Sequence, residues 1–215
     1  KLDLKNISYS YPNSKTKILK DFSLTVNKGE IIGIRGESGS GKSTILNILL
    51  GFLVPSSGYL LIDDVKLESS TIKSFRKKIG YVSQHIFLLD GTIKDNIAFG
   101  VDDQTIDTEL INDVLEKAKL LDVVNNLPNG INEHIGENGL KLSGGQRQRI
   151  GIARALYQKA EILIFDEATS ALDNDTEKDI TESIKSLATS EITIIIVAHR
   201  ETSLINCNSI IELTN

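Results

Sequence analysis

The sequence predicts an α/β protein in which a parallel β-sheet core carries an antiparallel β layer near the N-terminus and an inserted α-helical segment. Three observations lead to this prediction. Segments rich in β-branched residues, separated by short turns, dominate the first third of the chain. Later strand-like runs at residues 161–166 and 192–199 are almost continuously apolar, which is typical of parallel strands covered on both faces. Between Thr92 and Gln158 the pattern changes to helix.

The elements are expected in the following order. Strands are predicted at residues 2–11, 22–26, 30–36 and 59–62, with turns at 27–30 and 56–58. A helix follows the third strand directly from Gly41, and later strands are predicted at 79–83, 161–166 and 192–199. In the helical region one apolar stripe comprises Ile111, Val114, Leu115, Ala118 and Leu121. The sequence Pro128-Asn129-Gly130 is expected to end that stretch.

Length, composition and charge limit the classes of protein to which the chain can belong. With 215 residues and 40% hydrophobic content, the chain can bury the core of one domain, or of one domain with an insertion. The net charge of -5 and the absence of any block of five like charges argue against a general nucleic-acid binder. The single cysteine, Cys207, excludes an internal disulfide, fits a reducing compartment and is interpreted as a packing residue.

No apolar run approaches the roughly 18–20 residues that a membrane span requires. The longest runs extend from Thr44 to Val54 and from Ile192 to Ala198. The chain begins at Lys1 and contains no methionine, so we expect it to be a piece of a longer protein.

Residues Gly36 to Thr44 read GESGSGKST and match the phosphate-loop pattern G-x-x-x-x-G-K-[ST], with a strand before the loop and a helix after it. Glycines let backbone N–H groups point at phosphate oxygens, and the helix N-terminus adds partial positive charge. Lys42 would reach the β- and γ-phosphates, and the Ser43 hydroxyl would bind Mg²⁺. A flexible Gly/Ser-rich turn is the alternative. The candidate nucleotide-binding residues of this loop are Gly36, Ser38, Gly39, Ser40, Gly41, Lys42, Ser43 and Thr44.

Two carboxylates follow the apolar strand that ends at residue 166. Asp166 is expected to need a partner such as Mg²⁺, because burying an unpaired carboxylate is costly. Glu167 would lie at the carboxyl edge of the sheet, where ligands of open α/β folds bind. Taken alone, the pair could equally be a polar turn or a helix cap.

Residues 142–149, LSGGQRQR, open a predicted helix without offering a nucleophile or a metal ligand. Standing alone, Ser143 and the two glycines would be interpreted as a helix cap. Together with the phosphate loop, YVSQ ending at Gln84, ILIFDE ending at Glu167, SALD at 170–173 and AHR around His199, this string gives the chain a resemblance to the nucleotide-binding domain of ATP-binding cassette (ABC) transporters. The resemblance covers the whole chain, with the motifs in the family's order.

The resemblance implies a P-loop NTPase (RecA-like) core with an N-terminal antiparallel β layer and an inserted α-helical subdomain. The core would comprise residues 1–84 and 159–215, and the helical subdomain about 85–158. It also implies ATP and Mg²⁺ as cofactors and a second nucleotide-binding domain, an identical copy in our interpretation, packed head to tail. In that arrangement Ser143, Gly144, Gly145 and Gln146 face the ATP held by the partner's phosphate loop, with the helix N-terminus binding the γ-phosphate.

Further roles follow from the same resemblance. Tyr11 is expected to stack on adenine, with Tyr9 as the rival and a packing tyrosine as the alternative. Gln84 would touch Mg²⁺ or the attacking water, His199 would bind the γ-phosphate and orient Glu167, and Asp173 would lie at the dimer interface. The catalytic candidates are thus Glu167 (general base), His199, Lys42 and Gln84, and the metal candidates are Ser43, Gln84 and Asp166. Arg147 and Arg149 either add positive field or, in the structural role that we favour, pair with acidic residues.

The segments around Glu137 and after Gln84 resemble the exporter form of the family, which implies ATP hydrolysis coupled to transport. A transmembrane domain, fused upstream or separate, and a location at the cytoplasmic face of the membrane are expected, with no nucleic-acid partner. Departures at residues 62–64, 136–139 and 199–205 leave open a multidrug, peptide, lipid or oligosaccharide-lipid substrate. The alternatives are a soluble ABC ATPase of the DNA-repair or translation type and an inactive binding module.

Overall fold

The computed structural model describes residues 1–12, 14 and 16–214. The strands within these residues form one four-stranded and one five-stranded sheet. They are β1 (Leu2–Tyr9), β2 (Leu19–Val26), β3 (Ile31–Gly36), β4 (Ser57–Ile62), β5 (Val65–Lys66), β6 (Ile79–Ser83), β7 (Ile162–Asp166), β8 (Thr193–Val197) and β9 (Ser209–Leu213).

The five-stranded sheet has the order β6-β7-β8-β3-β9, and every neighbouring pair is parallel. Alternate residues of its strands enter two different hydrophobic cores, because successive side chains of a strand point to opposite faces. Ile194 and Ile196 of β8 pack with the helical layer, whereas Ile195 and Val197 pack against β1, β2 and the first helix. Covering both faces explains why these strands are apolar at nearly every position.

The four-stranded sheet has the order β2-β1-β4-β5 and is antiparallel throughout. Its central strand, β1, pairs on one side with β2 and on the other with β4, and its register shifts after Leu4 on the β2 side and after Lys5 on the β4 side. Asn6 lies within both irregular stretches, between Leu4 and Ile7 and between Lys5 and Ser8, and has a φ of 48°. This sheet is the predicted N-terminal β layer.

The helices are α1 (Lys42–Leu49), α2 (Ile72–Arg76), α3 (Ile93–Ile97), α4 (Thr108–Lys117), α5 (Leu121–Asn125), α6 (Gly144–Tyr157) and α7 (Asn174–Leu187). Short 3-10 helices lie at Asp103–Thr105, Gly130–Asn132, Glu137–Gly139 and Glu201–Leu204. Among the described residues, no helix combines the length and the apolar character that crossing a membrane requires.

The structure differs from the sequence prediction in several places. Strand β2 begins at Leu19 rather than at Phe22, β4 begins at Ser57 within the predicted turn, and α2 was not predicted. The apolar stripe from Ile111 to Leu121 does not belong to one helix: α4 ends at Lys117, Lys119 has a φ of 52°, and α5 begins only at Leu121. Strands β5 and β9 were not predicted. The first strand ends at Tyr9 rather than at Tyr11, so the two tyrosines are not on one strand.

Candidate functional site

The phosphate loop connects β3 to α1 as predicted. The N-cap residue of α1, Gly41, has a φ of 99°, a left-handed conformation that glycine adopts without strain, and none of the described side chains caps this helix start. The first amide groups of the helix therefore remain available to an anion. A Cβ atom at Gly36 would clash with Ser40 Oγ and would lie 2.8 Å from the Leu213 carbonyl oxygen.

Two polar side chains of this loop are buried. Lys42 is 7% exposed, and its Nζ donates to the carbonyl oxygens of Gly36 (2.8 Å) and Glu37 (2.9 Å). Ser40 is 4% exposed, and its Oγ has no hydrogen-bond partner. Ser38, Gly39 and Ser43 are exposed. The loop thus presents exposed and unpartnered donors with a lysine folded beneath them, as an anion-binding cradle requires.

Tyr11 lies beside this loop. Its ring is 41% exposed, and its hydroxyl is 3.2 Å from Thr44 Oγ1 in α1. Tyr9 is buried, 7% exposed, and packs against Tyr11 edge-on with ring centroids 5.1 Å apart. Of the two tyrosines, Tyr11 therefore offers a free ring face next to the phosphate loop, which favours it over Tyr9 as the adenine-stacking residue.

The loops after β3, β6, β7 and β8 meet at one edge, because the carboxyl ends of parallel strands lie together. At this edge His199 Nε2 lies 2.9 Å from Glu167 Oε1, and both side chains are partly exposed. The two residues follow neighbouring strands, so the register between β7 and β8 brings them together. An N–H donated to the carboxylate fixes its orientation and leaves its second oxygen free.

The backbone of Glu167 is held in an unusual conformation. Its φ is 50°, in the left-handed region that a residue with a Cβ adopts at some cost. Its N–H donates to the Val197 carbonyl (2.8 Å), and its own carbonyl accepts from the amide (3.0 Å) and the hydroxyl (2.7 Å) of Ser170. These bonds on both sides of the residue hold the strained turn and direct its side chain to the edge of the sheet.

Asp166, the last residue of β7, accepts a hydrogen bond from Tyr81 in β6: the phenol oxygen is 2.7 Å from Asp166 Oδ2. Burial, followed by this hydrogen bond, raises the pKa of Tyr81 above its ordinary range, so the phenol keeps its proton and donates it in the hydrogen bond to Asp166. The predicted partner of Asp166 was a metal ion alone. Tyr81 lies two residues before the end of the neighbouring strand, and it reaches Asp166 because β6 pairs with β7.

Gln84 directly follows β6. Its carbonyl oxygen accepts from Gln148 Nε2 at 2.8 Å, and the Ser83 carbonyl lies 3.3 Å from the same atom. Gln148 belongs to α6 and is 5% exposed, and its Oε1 has no partner. The backbone that carries Gln84 is thus tied to the helix that carries residues 144–157.

Residues 142–149 begin α6 in the way that the sequence predicted. Ser143 is the N-cap: its Oγ accepts from the Gln146 amide (3.2 Å), and its own amide donates to Gln146 Oε1 (2.8 Å), which completes a capping box. A Cβ atom at Gly145 would lie 2.6 Å from Thr176 Cγ2 in α7, so the glycine allows the two helices to approach. Ser143 is exposed, whereas Gly145 is buried.

Asp173 is the N-cap of α7. It accepts from the amide (3.0 Å) and the hydroxyl (2.8 Å) of Thr176, and these bonds lower the pKa of its carboxyl. Asp173 therefore has a local structural role in a single copy of the chain. This role is compatible with the expected position of Asp173 at a dimer interface.

Residues 142–146 (LSGGQ) are the signature of the family that the sequence resembles, and the two arginines that follow them have structural contacts. Arg147 Nη1 donates to the Leu142 carbonyl (2.6 Å), and Arg149 Nη1 donates to the Ala118 carbonyl (3.0 Å) and to Ser183 Oγ (3.1 Å). Burial lowers the pKa of Arg149. The structural interpretation is supported, but the partners are carbonyl and hydroxyl oxygens rather than the acidic residues considered from the sequence.

Comparisons with known proteins agree with this geometry. The family model described as "ABC transporter" matches residues 19–170. The chain is 42% identical over 213 residues to a protein named ATP-dependent lipid A-core flippase of Bordetella avium (strain 197N). The matched region covers 99% of this chain and 36% of that protein. A protein of the same name from Francisella tularensis subsp. holarctica (strain OSU18) is 41% identical over 210 residues, covering 98% and 34%.

Solved structures give a similar result. The structure of a bacterial Atm1-family ABC exporter with ATP bound superposes with a TM-score of 0.86 at 37% sequence identity, covering 99% of this chain and 36% of that one. The chain therefore spans about a third of the length of these proteins.

Proposed function

Because the chain belongs to the ABC transporter family, we propose that it is the nucleotide-binding domain of an exporter, where it binds and hydrolyses ATP to drive the export or flipping of a substrate. The observation that carries this proposal is the contact of 2.9 Å between His199 Nε2 and Glu167 Oε1, at the sheet edge to which the phosphate loop also belongs. A carboxylate oriented by an imidazole beside an anion-binding loop is suited to activate water against a bound phosphate.

The phosphate loop would hold the triphosphate. Lys42 would exchange the Gly36 and Glu37 carbonyl oxygens for β- and γ-phosphate oxygens, and the unpartnered Ser40 Oγ would gain an acceptor. Tyr11 would turn its exposed ring to the adenine. The remaining ligands would be Gly36, Ser38, Gly39, Gly41, Ser43 and Thr44.

The residues at this edge fit Mg²⁺, because they offer oxygen donors only: the exposed Ser43 hydroxyl, the Asp166 carboxylate and the Gln84 amide. Tyr81 would orient Asp166 toward that site. When bound, Mg²⁺ would neutralise charge on the β- and γ-phosphate oxygens.

Hydrolysis would proceed by attack of water on the γ-phosphorus, with cleavage of the bond to the β–γ bridging oxygen. Glu167 would take the proton of that water, a contribution of roughly 10²–10⁴-fold. His199 would keep the carboxylate in place and contact the γ-phosphate, while Lys42 would stabilise the charge that spreads over the γ-oxygens.

A single copy would supply only half of each site. The 14-residue helix α6 begins at the signature, and its N-cap, Ser143, is exposed. This helix start would bind the γ-phosphate of the ATP on a second copy packed head to tail, through Ser143, Gly144, Gly145 and Gln146. Asp173 would lie at the same interface. It accepts a hydrogen bond from Thr176, and the methyl group of Thr176 lies next to Gly145 of the signature.

The division into a core of residues 1–84 and 159–215 and a helical subdomain of about 85–158 is part of this proposal. It is supported by the concentration of α3, α4, α5 and α6 between those bounds. Gln148 would transmit movement of Gln84 to α6 when the γ-phosphate arrives or leaves.

The proteins that resemble this chain over about a third of their length are named flippases and an exporter, which favours the exporter over a soluble ABC ATPase. A transmembrane domain, fused upstream or separate, would complete the protein, with this domain at the cytoplasmic face of the membrane. Phe87 and Phe99, which are 63% and 44% exposed, would contact it, as would Glu137.

The experiment that tests the proposed function compares the parent with Glu167→Gln. We expect the variant to bind ATP with unchanged affinity, to lose hydrolysis by at least about 10²-fold and to accumulate as an ATP-bound dimer. Glu116→Gln, on the exposed face of α4, is the matched control. Hydrolysis by Glu167→Gln within about twofold of the parent would contradict the role of Glu167.

A further inference from the structure

Glu177 is a buried carboxylate that the proposed mechanism does not use. It lies in the first turn of α7, and its side chain is 3% exposed. It accepts hydrogen bonds from Arg200 Nη1 (2.7 Å), Thr202 Oγ1 (2.9 Å) and Ser203 Oγ (2.6 Å). All of these donors belong to the segment that follows His199.

The same carboxylate is linked to the segment after Glu167. Ser203 Oγ is 2.9 Å from Thr169 Oγ1, and both residues are buried. A hydroxyl has one proton, and that of Ser203 goes to Glu177, so Thr169 must be the donor in this second bond. The direction is therefore Thr169 to Ser203 to Glu177.

Glu177 thus connects the two segments whose spacing sets the contact between Glu167 and His199. Thr169 is two residues after Glu167, and Arg200 is adjacent to His199. Thr176, the residue before Glu177, also packs against Gly145 of the signature. Parts of the site from three separate stretches of chain meet at one turn of α7.

The chemistry of this position requires an anion. Burial raises the pKa of a carboxyl, but the hydrogen bonds from Ser203, Arg200 and Thr202 outweigh burial and lower the pKa of Glu177 below its ordinary value. A glutamine would fill the same volume, yet its NH₂ group cannot accept a hydrogen bond, so either Arg200 or the two hydroxyls would lose their acceptor.

We propose that Glu177 is a positioning residue for ATP hydrolysis, and that it holds the Glu167 and His199 segments at the separation that catalysis requires. This inference rests on the proposed function. Glu177 does not itself touch the nucleotide. Misplacement of a reacting group by about 1 Å can cost on the order of 10²-fold in rate, so a loosened Glu177 network is expected to lower turnover and leave ATP binding intact.

The test uses Glu177→Gln in the complete protein that carries this domain, with Glu182→Gln as the control. Glu182 lies on the same helix and is exposed. We expect kcat to fall between about 10- and 100-fold in Glu177→Gln, while the KM for ATP and the dissociation constant of ATP stay within about twofold. The control is expected to match the parent in all of these quantities.

A purely structural role is distinguished by a second measurement in a His199→Ala background. If Glu177 acts through the Glu167–His199 contact, adding Glu177→Gln to His199→Ala is expected to lower kcat by less than about twofold. A loss equal to that in the parent background would overturn the inference. A folded Glu177→Gln protein with kcat within about twofold of the parent would also overturn it.

Ser203→Ala keeps the inference testable should Glu177→Gln fail to fold, because it leaves the ion pair between Arg200 and Glu177 and removes the hydroxyl that links Thr169 to Glu177. We expect a selective fall in kcat of about threefold or more, and unchanged kcat would overturn the inference. A parent protein without ATPase activity would instead overturn the proposed function together with this inference. An active parent with an unaffected Glu177→Gln would overturn this inference alone.

Discussion

His199 Nε2 lies 2.9 Å from Glu167 Oε1, across the ends of two neighbouring parallel strands. The contact brings together a general-base candidate and its orienting group. It depends on two pieces of backbone: the left-handed turn at Glu167, held by the Val197 and Ser170 bonds, and the exit of the chain from β8. The proposed chemistry is therefore preorganised by the sheet rather than assembled by the substrate.

The first prediction concerns Lys42. Lys42→Ala removes the cation that is folded beneath the phosphate loop, and charge-assisted hydrogen bonds contribute about 1.5–3 kcal/mol, so ATP affinity is expected to fall at least about tenfold. Isothermal titration calorimetry with ATP measures this effect. Lys185→Ala, at the exposed end of α7, is the control, and equal affinities of the two variants would disprove the assignment.

The second prediction concerns Tyr81. Tyr81→Phe removes the hydroxyl that donates to Asp166 and leaves the ring in place, so Asp166 loses its fixed orientation. Loss of such an orienting partner typically lowers metal affinity about 10–100-fold. We expect Tyr81→Phe to need a higher Mg²⁺ concentration than the parent for the half-maximal ATP-induced fluorescence change. The measurement is a titration of Mg²⁺ in the presence of ATP. ATP binding without Mg²⁺ should not change, and Tyr59→Phe, on the exposed side of β4, should behave as the parent.

The third prediction concerns the close approach of α6 and α7. Gly145→Ala places a Cβ atom 2.6 Å from Thr176 Cγ2, and overpacking of this kind costs about 1–3 kcal/mol in the free energy of unfolding. Thr176→Ser removes that methyl group and keeps the hydroxyl that donates to Asp173. The double variant should therefore recover most of the loss in urea unfolding. A double variant as unstable as Gly145→Ala would contradict the steric explanation.

The fourth prediction is the pH dependence of stability that Glu177 contributes. Its pKa is lower in the folded protein than its ordinary value of 4.5, so its contribution is fully present above about pH 4.5 and is lost as the pH falls through the lower, folded pKa. Arg200 is the cation that faces it, with its Nη1 2.7 Å from Glu177 Oε2. The difference in unfolding free energy between the parent and Glu177→Gln should shrink below about pH 4.5. A difference that grows on acidification would contradict the assignment.

Motifs with a fixed spacing could be predicted from the sequence, because their chemistry is local. The turn at Gly41, the cap at Ser143 and the position of Glu167 after a buried strand follow from neighbouring residues. The pairing of Glu167 with His199 also followed, but only through the family resemblance. The break at Lys119 was missed because the apolar stripe continues across it with the same period.

The remaining site contacts depend on which strands and helices become neighbours. Tyr81 meets Asp166 only because β6 pairs with β7, and Gln148 meets the Gln84 carbonyl only because α6 packs beside β6. Glu177 is one of several polar residues at the start of α7, and its sequence neighbours do not indicate that it is buried. Strand β9 is short, partly exposed and at the edge of the sheet, so its apolar pattern is weak.

The shared site is the central claim, and mixing two inactive variants tests it most directly. Lys42→Ala retains an intact signature and Ser143→Ala retains an intact phosphate loop, so each homodimer has two defective sites while a heterodimer regains one complete site. An equimolar mixture, under conditions where dimers demonstrably form, should recover up to about a quarter of the parent ATPase rate. Ser143→Ala also removes a helix cap at a cost of about 1 kcal/mol, so each protein is first shown to be folded. A mixture no more active than the average of its two components would contradict the claim that ATP is hydrolysed between two copies.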